Sequence, residues 1–323
     1  MKLLRIAGLC VTILLALGMP AGSAAKSSVA YHWPIKPFDR QHPIRGAFGD
    51  PRTLSPDQDF GVTGPGSSGK YSFHTGVDIV AKPGTPVYPV VSGRVRLARA
   101  DEIIVDTGGG HSFQYWHLRR NVRLGQSVVV DRTVLGWIQH PADHVHLTEN
   151  DGYGAQNPLA PGHLEPYRDN TKPRVIALDF DDGRSPQLTT GGLLSRHDHL
   201  AIAAVDEPAM RVPGPFADLP QTPALVEWRL LSGRTWSAWH IAADFRRSEP
   251  SPFHFWTVYA PGTYQNVPVF NRELYQGIAG QYLFRIALDP SRLSPGRYEL
   301  QARAADVRGN SSTTTWPLEV GLR

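Results

Sequence analysis

Cysteine is almost absent: Cys10 is the only one in the chain. It lies in a stretch that reads as an export signal, with Lys2 and Arg5 at a positive start, an apolar run from Ile6 to Leu17 and the small-residue exit "GSAAKSS". A lipid-anchor site needs a small residue before the cysteine, and Leu9 is not small. Removal of residues 1–25 would leave a chain with no cysteine, which excludes disulfides and thiolate metal ligands. Any zinc must then be held by histidine and carboxylate. Pro20 and Gly22 follow the apolar run too closely for it to span a bilayer. The chain is expected to be exported, with no stable membrane insertion once the signal is removed.

An excess of charge is missing too. The formal charge of +4 falls to +2 without Lys2 and Arg5, and no Lys/Arg-rich run with interleaved aromatics occurs, so no nucleic-acid partner is expected. No long stretch keeps a 3.6-residue apolar period, which excludes a helical fold. The helical zinc motif H-E-x-x-H is absent, and no repeat of fixed period is visible.

Strands are what remain. "VYPVVSGRVRLA", "EIIVDTGGGHSFQYWHL" and "QSVVVDRTVLGWI" are β-branched or aromatic runs separated by glycine-bearing turns. "TLSPDQDFGVTGPGSSGKY" reads as a loop. About 300 residues after the signal exceed a single comfortable core, and the Pro-rich segment "NPLAPGHLEPYRDNTKP" (157 to 173) is the expected domain boundary. Beyond it some seven short alternating strands suggest a β-sandwich, and "LSPGRYELQARAADVRGN" resembles the last strands of bacterial immunoglobulin-like modules. Trp228, Trp236 and Trp239 are expected in the sandwich core. The expected division is 26–168 and 169–323, with few contacts across the junction, so that 26–168 would fold alone.

Two fragments carry metal-ligand chemistry. In "HVHL" the alternation of a strand places His144 and His146 on one face; by themselves they also fit a pair of surface histidines beside a turn. In "HTGVD" a straight strand would separate the Cα atoms of His74 and Asp78 by roughly 13 Å, too far for one zinc. The chain must bend or bulge between them, and Gly76 permits it.

With "YWHL" (115 to 118) added, the order H-x-x-x-D, Y-x-H-L, H-x-H resembles the lysostaphin/LytM-type zinc endopeptidases of bacterial peptidoglycan. "GAFGDPR" (46 to 52) and "GVDIVAKPGTPVYPVVSGRV" (76 to 95) resemble the family too, over roughly residues 31 to 165. The resemblance implies an antiparallel LytM-type β-sheet peptidase domain followed by an immunoglobulin-like β-sandwich, all-β throughout. It implies Zn2+ held by His74, Asp78 and His146, with His117 and His144 flanking the attacking water and the scissile carbonyl, one as general base and the other as oxyanion stabiliser. No further cofactor is implied. The substrates would be peptidoglycan peptides, the location periplasm or extracellular cell wall, and the C-terminal domain a candidate surface for a protein partner. The alternative is a non-catalytic LytM-like protein that binds the wall or activates other hydrolases. The family's Gly- and Ser/Thr-rich turn before H-x-H is replaced here by "GWIQHPADHVHL", with Asp143 directly before His144. His140 reads as a loop residue. His197 and His199, a second H-x-H in "RHDHLAIAAVDE", read as turn histidines, and His111 and His163 as structural.

Overall fold

Residues 30–53, 62–63, 70–180, 187–189, 192–195, 197–270 and 275–321 are described by the computed structural model. The expected signal peptide lies outside them, as does most of the loop at 53–71. The alternating runs at Val77–Val80, His144–Asn150, His111–Trp116, Glu102–Gly108 and Gly93–Ala98 lie side by side in an eight-stranded sheet, with Ile44–Gly46 on one edge and Ser127–Val128 on the other. Every neighbour in it is antiparallel. The chain is all-β: among the described residues the α-helix Phe255–Val258 has four residues, and no helix is long and apolar enough to cross a membrane.

The register of this sheet decides where chemistry can sit. Leu147 pairs with both Val77 and Tyr115, Tyr115 with Ile103, and Val145 with Ile79. All of these are buried, so one face of the sheet is apolar core. Because side chains alternate, the opposite face carries the residues between them. Asp78 pairs directly with His146, and His144 precedes His146 by two positions. The sheet therefore builds a polar face from the same strands that build the core.

The chain bends at Gly76 as expected, and packing explains why the residue is glycine. The chain leaves Lys70–Phe73, bends at Gly76 and enters Val77–Val80. Its backbone is not in the left-handed region. Instead a Cβ there would meet the Leu147 carbonyl oxygen at 2.2 Å. Glycine is required by close approach of two backbones, not by an unusual φ.

Beyond residue 173 two sheets pack face to face. One holds Gln187–Thr189, Arg174–Phe180, Leu200–Val205 and Leu283–Ile286; the other holds Gly192–Leu194, Ser311–Val320, Gly296–Ala305, Leu225–Ser232, Thr235–Trp236 and His240–Asp244. Leu178, Leu200 and Ile202 from the first share a core with Leu300, Ala302 and Trp316 from the second. Trp228 is buried as expected, but Trp236 and Trp239 are not core residues. Both are half-exposed and stack on the Arg229 guanidinium at 4.4 and 4.5 Å, with Arg303 over Trp239 at 4.7 Å. A cation for each ring to stack on, at the outer side of the sheet, overrides their hydrophobicity.

The expectation of a lightly crossed junction is not met. The segment 157–173 is packed, with Leu159, Leu164 and Tyr167 buried. Asn157 donates from Nδ2 to Phe245 O and from its backbone to Arg247 O. Phe73 lies against Phe245, Phe255 and Tyr259 at ring distances of 5.5, 5.4 and 5.8 Å. A single apolar cluster runs through both halves of the chain. Proline and turn residues shape a path, but they do not prevent burial when aromatic side chains face each other across it.

Candidate metal centre

His74, Asp78 and His146 converge: one ligand atom from each lies within 4.8 Å of the other two. His74 Nε2 is 3.1 Å from Asp78 Oδ1 and 2.8 Å from His146 Nδ1, which is itself 3.1 Å from Asp78 Oδ1. The remaining imidazole nitrogens are held elsewhere. His74 Nδ1 donates to Ala47 O at 2.8 Å, and His146 Nε2 sits 2.7 Å from Thr148 Oγ1. Pinning one nitrogen fixes the tautomer and turns the other's lone pair inward. With His146 donating to Thr148, two lone pairs and a carboxylate oxygen face one another with no proton between them. A divalent cation satisfies such a set, and two imidazoles with one carboxylate suit zinc in a catalytic site. The residues present fit the metal.

Charge prepares the ligands. Burial, and then the nearby Arg52 guanidinium, hold His74 at about 3. Burial likewise lowers His146. Burial by itself pushes Asp78 up, but His74 and His144 outweigh it, and the carboxyl is held well below its usual range. The imidazoles stay neutral and the carboxylate ionised near neutral pH, the states that bind metal. Arg52 donates to Asp78 Oδ2 at 3.0 Å, leaving Oδ1 to the histidines. A side chain at Gly46 would meet that same Oδ2 at 2.7 Å.

His117 and His144 stand beside the ligands. His117 follows the His111–Trp116 strand with φ 70°, and this left-handed step turns its ring to lie 4.5 Å from that of His144. Burial, then the neighbouring His144, lower it to about 3. His144 Nδ1 donates to Ala142 O at 2.6 Å, which presents Nε2 to the cluster, 3.4 Å from Asp78 Oδ1. Asp143, before it, takes φ 56°, a conformation that aspartate tolerates better than most residues. All five sequence-selected residues thus meet on one face. His140 is an exposed turn residue, and His197 and His199 are exposed as expected.

Residues given no role from the sequence complete the centre. The 46–50 loop that supplies Ala47 O is held by the C-terminal half of the chain. Asp50 accepts from Ala47 N at 2.9 Å and from Thr222 N at 2.8 Å. Tyr259 Oη donates to Gly49 O at 2.8 Å, and Gln221 Nε2 to Ile44 O at 2.7 Å. His74 N in turn donates to Asp50 O at 2.8 Å. Asp50 lay within the quoted "GAFGDPR", but no spacing rule links it to Thr222. On the opposite face, His111 and His163 donate to buried Glu149 at 2.9 and 2.7 Å, with Tyr31 Oη at 2.6 Å.

These shifts give a pH dependence with a definite sign. An imidazole that titrates near 6.5 in an unfolded chain titrates at about 3 in folded His74 and His117. The unfolded state therefore binds more protons between those values, and stability falls as pH falls. This contribution is lost from about pH 6.5 downward, while Asp206 and Glu249, which burial pushes up to about 8, act in the opposite sense. Urea titrations in chelator of the unaltered chain and of His117→Ala separate the two: the midpoint of the unaltered chain relative to the variant should fall between pH 7 and 5, and a difference that stays constant would contradict the burial of a neutral His117.

Comparison with known proteins follows the same residues. Residues 72–152 match the model of peptidase family M23. Similar solved structures include the SpoIIQ–SpoIIIAH pore-forming complex, at 23% identity over 41% of this chain and 90% of that one, TM-score 0.31. A zinc-containing peptidase from Vibrio cholerae is similar at 21% identity over 40% of this chain and 39% of that one, TM-score 0.30. A second structure, of the SpoIIIAH and SpoIIQ complex, shows 23% identity over 40% and 97%, TM-score 0.30. No curated protein matches the chain. The segment that matches the peptidase family M23 model holds His74, Asp78, His117, His144 and His146 together.

Proposed function

We propose that the protein is an exported zinc metalloendopeptidase that hydrolyses peptide bonds in peptidoglycan stem peptides or cross-links, in the periplasm or cell wall. The observation that carries this reading is the convergence of His74 Nε2, Asp78 Oδ1 and His146 Nδ1, with both histidines pinned through their other nitrogens. Zinc, when bound there, supplies Lewis acidity to a scissile carbonyl and lowers the pKa of water. His144 acts as general base: its Nδ1 is committed to Ala142 O, which turns the Nε2 lone pair toward the cluster, 3.4 Å from Arg45 Nη2. His117, held neutral by burial with its ring 4.5 Å from that of His144, donates to the developing oxyanion. We assign residues 26–168 to the LytM-type peptidase domain and 169–323 to an immunoglobulin-like β-sandwich, with 1–25 as the signal.

The test is a muropeptide digest by the zinc-loaded full chain, followed by mass spectrometry. New peptide termini support hydrolysis. Stoichiometric zinc without any cleavage would favour a non-catalytic LytM-like protein, acting on the wall through a partner.

His144→Ala separates the roles within the site. It is expected to keep its zinc and lose about a hundredfold in rate, the usual contribution of a general base. Zinc content and initial rate are measured on the same sample. Loss of zinc in this variant, with zinc retained in His146→Ala, would exchange the two assignments.

A further inference from the structure

Three hydrogen bonds fix His74, and all three end on one turn. His74 N donates to Asp50 O at 2.8 Å, Gly49 N donates to His74 O at 2.9 Å, and His74 Nδ1 donates to Ala47 O at 2.8 Å. The aim of His74 Nε2 is therefore set by residues 47–50. The turn grips itself weakly through its backbone: the bond from Asp50 N to Ala47 O is long, at 3.2 Å.

The Asp50 side chain closes it. The carboxylate is buried, and each oxygen has its own donor. Oδ2 takes Ala47 N from within the turn at 2.9 Å, and Oδ1 takes Thr222 N from the C-terminal half at 2.8 Å. A carboxylate accepts at both positions, whereas an asparagine would set its NH2 against one of the two N–H groups. Tyr259 holds the preceding residue. Its hydroxyl donates to Gly49 O at 2.8 Å and lies 3.1 Å from Thr222 Oγ1. Phe245 packs directly on the turn: a Cβ at Gly49, whose φ is 88°, would meet its ring at 2.5 Å. Thr222, Phe245 and Tyr259 all lie outside residues 72–152, the segment that matches the peptidase model.

We propose that Asp50 is a positioning residue of the metal centre and that Tyr259, acting through Gly49, is a second, so that contacts from the C-terminal half set how tightly His74 holds zinc. This rests on the metal-site reading above. Neither side chain offers a ligand atom. They act by holding Ala47 O in place, and with it the tautomer and ring direction of His74. Loss of partners that orient a ligand commonly costs about tenfold to a hundredfold in metal affinity. The coupling is reciprocal: zinc on His74 tightens the hold of the turn on Thr222 and Tyr259.

Zinc affinity of the full chain tests it, measured by competition with a chromophoric chelator at a temperature where circular dichroism shows each variant folded. Asp50→Asn should weaken zinc at least tenfold. Tyr259→Phe keeps the ring against Phe73, Phe245 and Phe255 and removes only the hydroxyl, so it probes the same turn should Asp50→Asn fail to fold. It should weaken zinc at least threefold. Ile202→Val lowers stability in the sandwich core without touching the turn and should leave the affinity unchanged. In cobalt-loaded protein the visible bands, which report ligand geometry, should change in the two turn variants and not in Ile202→Val. An affinity unchanged in a folded turn variant strikes that residue from the role, and an equal loss in Ile202→Val strikes both, while leaving the metal site intact. An unaltered chain that binds no zinc overturns the metal site and this inference with it.

Discussion

Full-length protein carrying His74→Ala or Asp78→Ala is expected to purify with almost no zinc, against about one ion per chain for the unaltered protein. Three candidate ligands close the site on the protein side, and the one cysteine, Cys10, lies in the expected signal, far in sequence from all three. A zinc held by two protein ligands has lost a third of its protein coordination, and catalytic sites ordinarily keep three. Asp78→Ala carries a second penalty. It strips the counter-charge from Arg52, whose Nη2 is 3.0 Å from Asp78 Oδ2, so an uncompensated cation is left next to a divalent metal. Metal analysis after dialysis against a weak chelator measures the outcome. Stoichiometric zinc in either variant would remove that residue from the ligand set. A metal held by Asp78 and His146 would tie Val77–Val80 to His144–Asn150, so the zinc-dependent part of the thermal stability should vanish in either variant.

Cutting the chain after residue 168 is expected to cost the peptidase half its fold and its metal together. Tyr71 and Phe73 would lose Phe245, Phe255, Trp256 and Tyr259 as neighbours. Re-exposing a large apolar side chain costs about 1.5–3 kcal/mol, against about 5–15 kcal/mol for a whole domain. Asp50 would lose Thr222, Gly49 would lose Tyr259, and the loop that orients His74 through Ala47 O would lose its far side. The fragment 26–168 should therefore be insoluble, or soluble with little zinc, where the full chain is folded and loaded. Circular dichroism and metal content of the two preparations, made side by side, decide it. A folded fragment with one zinc would show that the aromatic contacts are dispensable and that the Pro-rich segment is a true linker. The contrast with the expectation from sequence has a simple cause. Composition reports where a chain can turn, whereas independence depends on which side chains face each other after it has turned.

The all-β class is legible in the amino-acid sequence, and the resemblance of its three motifs to the lysostaphin/LytM-type endopeptidases points to five residues that the fold brings to one face. Part of this legibility comes from strand alternation, which is a local rule. Two residues apart means one face, which pairs His144 with His146. Four residues apart on a straight strand means too far, so the bend between His74 and Asp78 was required. Everything that depends on residues distant in the chain came from the fold. Arg45 and Arg52 look like ordinary surface cations until antiparallel pairing of Ile44–Gly46 with Val77–Val80, and of Pro51–Arg52 with Lys70–Phe73, brings them to Asp78. Trp236 and Trp239 read as core until Arg229 and Arg303 prove to lie beside them on an outer face. Thr222, Phe216 and Tyr259 come from more than a hundred residues away to hold the loop and the guanidinium of the metal centre. Hydrogen bonds and ring contacts act over a few ångströms of space whatever their separation in sequence, and that distance is what the fold alone supplies.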